Sequence, residues 1–243
     1  MSPRILGIIP ARGGSKSVPR KNIKLLDGKP LLAYVLGAAL KSKYFSRVVV
    51  SSEDDEILAI ARKFGGDTVS LLRPKELALD TTPDVPMLKH AIEQVEKEEG
   101  KPFDYVVQLH ATTPFTTTAD IDGALKKLLE TPDADSIVSV FKINHYHPIK
   151  LKKIVHGYVE PYVEGFGEKT TSRRQDLDNV YRRNGGIYAS KRSVVMELGR
   201  VFGDKCLAYE MPYERSFEVD TKVDFLIADY LMKHLREHEN FEI

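Results

Sequence analysis

The sequence predicts an α/β fold: a mainly parallel sheet covered by helices on both faces, with an antiparallel β insertion late in the chain. Three observations predict it. Short apolar runs alternate with amphipathic segments of helical length, which implies right-handed crossovers between parallel strands. A glycine-containing basic loop directly follows the first apolar run, where such sheets collect their ligands. After about residue 136 the helical segments drop out and β character repeats without them.

Each element has its own warrant. Ile5 to Ile9 reads as a buried strand, and Pro10 to Asn22 as the loop after it. Pro30 suits the first position of a helix whose apolar face is Leu31, Leu32, Val35, Leu36 and Ala39. Val48 to Val50 is a second buried strand. Glu53-Asp54-Asp55-Glu56 opens a helix with Ile57, Ile60, Ala61 and Phe64 on one side, and acids in a first turn are favoured by the helix dipole. Residues 68–72 predict a short strand, 73–80 a loop and 85–95 a helix. Residues 104–110 form the strongest interior strand; a turn at 111–114 leads to a helix over 119–129. Then 137–143, 149–155 and 158–163 have β character, and 172–183 is strongly polar, which together predict a flap extending from the body. Gly185 to Ala189 returns to a core strand, followed by a helix at 191–198, a strand at 206–211 and a last helix at 221–236.

The whole 243-residue chain is thus expected to be one domain, 1–243, with 140–183 as its flap. A net charge of +1 argues against a broad nucleic-acid surface. The longest apolar run, 31–40, is too short for a membrane span of roughly 20 residues, so no membrane partner is expected. Pro10 and Arg12 interrupt what would otherwise resemble a signal-peptide core. The single cysteine, Cys206, cannot form an intrachain disulfide, which fits a reducing, cytoplasmic location.

Two stretches carry chemistry. Between Pro10 and Asp27 lie Arg12, Lys16, Arg20, Lys21 and Lys24 with no acid among them. Adjacent Gly13 and Gly14 allow backbone N–H groups to approach an anion closely, so the loop suits a polyphosphate. A solvated basic turn is the alternative. Neither G-x-x-x-x-G-K-[ST] nor G-x-G-x-x-G is present, which weakens the usual NTPase and dinucleotide readings. Late in the chain, Glu218-Val219-Asp220 places two carboxylates on one face of an extended segment. Paired acids beside a polyphosphate are natural Mg²⁺ ligands. Capping of the last helix by Asp220 or Thr221 explains the same residues equally well at this point.

Pro10-Ala-Arg-Gly-Gly-Ser-Lys-Ser-Val-Pro-Arg-Lys-Asn22 closely resembles the opening loop of the CMP-sialic acid synthetase (N-acylneuraminate cytidylyltransferase) family. Phe217 to Phe225 resembles that family's D-x-D-x-x-x-D segment, with Asp220 and Asp224 matching the second and third acids and Glu218 standing in for the first Asp. Residues 109–114 take the place of L-Q-P-T-S-P, with His110 for Gln and Ala111 for Pro; Thr116 replaces the following Arg. His147-Pro148-Ile149-Lys150 resembles H-P-x-K, Arg174-Gln175 and 184–188 resemble R-Q…N-G-A-I-Y, and 73–80 also fits.

The resemblance implies a Rossmann-like sheet of the nucleotidyltransferase type and transfer of CMP from CTP to a nonulosonic, sialic-acid-like sugar acid, with release of pyrophosphate. It implies nucleotide contacts from Ala11, Arg12, Gly13, Gly14, Ser15, Lys16, Lys21, Asn22, Arg73 and Asp80. Sugar contacts are implied at His110, Thr112, Lys150, Arg174, Gln175, Asn184 and Gly185, and Mg²⁺ ligation at Asp220 and Glu218. Arg12, Lys21 and Asp220 take the catalytic roles, and the flap implies a homodimer. The departures at 110, 111 and 116 fall near the sugar and point to an unusual acceptor. Two alternatives stay open: a cytidylyltransferase for another acceptor, such as 3-deoxy-octulosonate or a phosphonate, and a nucleotide-binding module without turnover.

Overall fold

A computed structural model of the chain describes residues 2–143, 147–164 and 178–238, with side chains described as far as residue 234. Strand β1 (Ile5–Pro10) leads through the basic loop into a ribbon of β2 (Leu25–Leu26) and β3 (Lys29–Pro30), then α1 (Leu31–Lys41). Next come β4 (Arg47–Ser52), α2 (Asp55–Gly65), β5 (Ser70–Leu72), α3 (Asp84–Glu99), β6 (Tyr105–Leu109), α4 (Thr118–Leu129) and β7 (Ser136–Lys142). The hairpin of β8 (Lys152–Val155) and β9 (Tyr158–Pro161) precedes β10 (Tyr181–Lys191), α5 (Arg192–Met196), β11 (Cys206–Glu210) and α6 (Lys222–His238).

Seven strands form one sheet in the order β11-β7-β10-β6-β1-β4-β5. All neighbours pair in parallel except β10, which runs antiparallel to both β6 and β7. β1 and β4 are buried on both faces, as continuous β-branched runs require. One face is covered by α1, α2 and α4 through Leu36, Ile57 and Leu125; the other by α3 and α5 through Leu88, Ile92 and Val195. Helix starts follow local chemistry. Asp54 caps α2 by accepting from the Glu56 and Ile57 amides, and Thr117 and Asp120 form a reciprocal capping box on α4. Among the described residues, no helix is long and apolar enough to cross a membrane.

A third apolar cluster positions the site. Val18 from the basic loop and Val219 from the late acidic segment are both fully buried there, with Tyr34, Phe115, Phe225 and Met232. Burying Val219 turns its neighbours Glu218 and Asp220 the opposite way, as period-2 alternation demands.

The sheet differs from expectation in its later half. Residues 137–143 were expected to begin the flap, but 136–142 form an interior strand between β11 and β10. Between β7 and β10 the described residues form a 3-10 turn at Pro148–Lys150 and the β8–β9 hairpin. The β2–β3 ribbon went unread, although its Asp27-Gly28 turn has the positive φ angles, 45° and 76°, of a tight hairpin. The strand expected over 68–72 is shortened to Ser70–Leu72, and the helix over 191–198 to Arg192–Met196.

Candidate active site

The sheet order reverses beside β1: the chain moves outward to β4 and β5, then returns to place β6 on the other flank. Such a switch point leaves a crevice at the carboxyl ends of the two diverging strands. A cleft of about 360 Å³ opens there, bordered by Arg12, Lys21, Arg73, His110, Glu218 and Asp220 among others. The early cations and the late acids thus converge.

The loop that supplies the cations is tied down along its length. The Ala11 amide donates to Ser51 O at 3.0 Å, and Asn22 Nδ2 donates to Arg12 O at 2.9 Å. Arg20, in the left-handed region at φ 56°, is bonded to Asp54 and Glu56. Every cation that reaches an acid does so across the fold: Arg12 and Lys16 meet at Asp80, and Lys21 Nζ lies 2.8 Å from Asp220 Oδ1. The two cations hold the Asp80 carboxyl below its usual range. Ser17 Oγ adds a hydrogen bond to Asp220 O.

The glycines serve differently from the expected open cradle. The Gly13 amide already donates to Glu53 Oε1 at 2.8 Å, and a Cβ on Gly13 would collide with Asp54 Oδ2. Gly13, Gly14 and Ser15 lie outside the lining of the cleft, so side chains rather than their amides face it. Glu53 was missed as a site residue because it reads as helix first turn. Asp54 takes the cap, which leaves Glu53 one residue outside the helix, where it bonds both Gly13 and the buried Arg73. Burial pushes the Arg73 guanidinium pKa down, and Glu53 opposes it.

On the acidic side, the Val219 amide donates to Thr112 O at 2.8 Å, which fastens the segment to the turn after β6. Burial, then the nearby Asp220 charge, raises the Glu218 carboxyl above its ordinary range. The capping alternative is met at Thr221, one of the two residues it named, with Asp224 as the reciprocal partner. Asp224 Oδ2 accepts from the Asp220 and Thr221 amides while Thr221 Oγ1 accepts from the Asp224 amide, so Asp220's own carboxylate is left to face Lys21. Asp224, the expected third acid of the motif, is thereby a capping residue. Among the described residues no group of three His, Cys, Asp or Glu is placed to hold a metal ion. Two carboxylates bordering a polyphosphate-sized cleft still fit Mg²⁺, which takes one or two carboxylates plus phosphate oxygens and water.

The expected sugar contacts divide. His110 and Thr112 line the cleft; the His110 ring packs 5.3 Å from that of Tyr188, and burial lowers its pKa. Gly185, at φ 73°, backs Glu218, and a Cβ there would stand 3.0 Å from Glu218 Oε1. Asn184 faces a different task. Its amide is buried and engaged with Ser139, Ser216, Met211 and the Gly186 N–H, which braces the irregular start of β10, and the residue borders the cavity beyond Glu218. Lys150 sits on the 148–150 turn, outside the lining of the cleft. Arg174 and Gln175 lie outside the described residues. A second cavity of about 240 Å³ shares Glu218 and Asp220 with the cleft and adds Phe141, Arg182 and Tyr213.

Residues 6–223 match the family model described as cytidylyltransferase. The chain belongs to the cytidylyltransferase family. An N-acylneuraminate cytidylyltransferase of Escherichia coli O18:K1:H7 is 33% identical over 229 residues, 94% of this chain and 52% of that one. A pseudaminic acid cytidylyltransferase of Campylobacter jejuni serotype O:23/36 is 32% identical over 230 residues, 94% of this chain and 96% of its own. In fold, the cytidylyltransferase sheet matches a solved CMP:2-keto-3-deoxy-manno-octonic acid synthetase complexed with CTP. That match has a TM-score of 0.70 at 19% identity and covers 95% of this chain and 99% of that one.

Proposed function

We propose that this cytidylyltransferase activates a nonulosonic, sialic-acid-like sugar acid with CTP, giving the CMP-sugar and pyrophosphate. The observation that carries the reading is the meeting of Lys21 and Asp220 in one cleft, 199 residues apart in sequence and 2.8 Å apart in space. The relatives named for N-acylneuraminate and pseudaminic acid support the acceptor class over an octulosonate or a phosphonate.

In this reaction an acceptor hydroxyl oxygen attacks the α-phosphorus of CTP while the bond to the bridging oxygen breaks, so pyrophosphate leaves. Catalysis is then mainly positioning and charge stabilisation. Arg12, Lys16 and Lys21 hold the triphosphate and offset charge growing on the leaving group. Ala11, Asn22 and Arg73 shape the nucleotide side, while His110, Thr112 and Gly185 border the acceptor side. Arg174 offers a bidentate contact for the acceptor carboxylate. Asp220 and Glu218 are the residues that would hold Mg²⁺, which when bound supplies positive charge to phosphate oxygens and acidifies the attacking hydroxyl. The same reading takes the protein as a cytoplasmic homodimer, with the single cysteine and the exposed hairpin as its support.

The deciding experiment measures pyrophosphate release from CTP and Mg²⁺ against a panel of sugar acids. Nonulosonic acids are expected to give the highest kcat/KM. A higher value with 3-deoxy-octulosonate, or nucleotide binding without turnover on any acid, would replace the proposal with one of its alternatives.

A further inference from the structure

Arg20 takes a left-handed backbone conformation, φ 56° and ψ 32°. Glycine adopts that region freely, whereas a long L side chain is held there against its preference, and such an outlier points to a local task. Its carbonyl is what the next turn hangs from. The Ile23 and Lys24 amides both donate to Arg20 O, at 3.1 and 3.0 Å, and wind Lys21–Ile23 into a 3-10 turn. Out of that turn Lys21 Nζ reaches Asp220 Oδ1, and Asn22 Nδ2 returns to Arg12 O. The direction of Lys21 is therefore set by the residue before it. Arg20 itself lies outside the lining of the cleft, so its effect on a ligand there runs through Lys21.

The guanidinium end holds the unusual backbone in place. Arg20 forks onto Asp54: Nη1 donates to Oδ2 and Nη2 to Oδ1, the second at 3.1 Å, and Nη2 also donates to Glu56 Oε2. Asp54 is a fixed anchor, because its Oδ1 already accepts from the Glu56 and Ile57 amides at the head of α2. It also presses on the other arm of the loop, since a Cβ on Gly13 would meet its Oδ2. One carboxylate thus gathers both arms of the loop onto a helix. Stability does not account for the arrangement: the Arg20 and Glu56 side chains are 39% and 64% exposed, and ion pairs so open to water contribute little to folding. A planar fork fixes an angle as an ammonium does not. What it fixes here is the path into Lys21.

Resting on the cytidylyl-transfer reading above, we propose that Arg20 is a positioning residue: clamped to Asp54 on α2, its left-handed backbone aims Lys21 at the triphosphate. The test measures kcat/KM for CTP with the best acid, CTP affinity by calorimetry without acceptor, and melting temperature. The variants are Arg20→Ala, Lys21→Ala, the two together, and Asp54→Asn. Arg20→Ala is expected to lower kcat/KM about tenfold, since a small misplacement of a positioning group is felt strongly. With Lys21 already alanine, the same change should lower it less than threefold, because residues that act through one another are not additive. Asp54→Asn keeps a side chain that caps α2 but loses the charged fork; it should lower kcat/KM at least threefold at a melting temperature close to that of the wild type. A loss under threefold in both Arg20→Ala and Asp54→Asn overturns the assignment. So does an equal loss with and without Lys21, which would make Arg20 a brace of the loop alone. If Arg20→Ala fails to fold, Asp54→Asn, alone and with Lys21→Ala, carries the same comparison. Wild-type protein that binds no CTP would defeat the functional reading itself; additive losses defeat only this inference.

Discussion

At the scale of single residues, Lys21 and Asp220 carry the heaviest expectation. Asp220→Asn should cut turnover by about 10²–10³ with folding intact, because it weakens the lysine contact and, on the proposed reading, the ligand to Mg²⁺. Near-normal turnover would remove the metal assignment. Lys21→Ala should raise the CTP requirement about tenfold or more and slow pyrophosphate release, read from KM and a single-turnover trace. Glu218 gives a pH-dependent test. Its native pKa is raised, so the folded state binds more protons than the unfolded one from about pH 4 up to that value. Stability contributed by this group therefore falls as pH rises through that window and is flat above it. Glu218→Gln should melt above the wild type at neutral pH and lose that advantage near pH 4, as thermal scans across pH would show. The sequence made Arg12, Lys21, Glu218 and Asp220 legible through charge and spacing. It did not expose Glu53, because an acid just before a helix looks ordinary until the fold sets it against the Gly13 amide and Arg73.

At the scale of elements, the acidic segment depends on an anchor outside itself. Arg215 makes a two-pronged pair with Asp120, at 2.9 and 2.8 Å, and Asp120 is buried within the α4 capping box. Arg215→Met should destabilise the protein by about 3–5 kcal/mol in denaturant unfolding, since it strands a buried carboxylate. The β8–β9 hairpin carries Ile154, Tyr158 and Val159 in the open, an apolar edge suited to a second subunit. On the proposed homodimer, Ile154→Asp with Tyr158→Asp should give a monomer by light scattering where the wild type gives a dimer, with the monomer's melting temperature little changed. Segment 137–143 was misassigned to the flap because β-branched runs look alike in an interior strand and in an insertion. Its partner β11 pairs with it at a separation of 70 residues, as in Cys206 beside Ser136, beyond the reach of local patterning.

At the scale of the whole molecule, the parallel half was readable because alternating apolar and amphipathic runs admit few topologies. The reversal beside β1 then brings distant segments together without long connections. The antiparallel course of β10 was not readable, since direction depends on the flap that feeds it. Its consequence is spatial: the parallel strands border the cleft with their carboxyl ends, whereas β10 turns its beginning, at Arg182 to Asn184, to the adjoining cavity that shares Glu218 and Asp220. The pairing of Arg12 and Lys16 with Asp80, and of Lys21 with Asp220, also bears on how a nucleotide arrives. On the proposed reading its triphosphate would meet cations already paired with carboxylates, so that one anion is exchanged for another. Affinity for CTP should consequently respond only shallowly to added sodium chloride, where an unmatched basic patch would respond steeply.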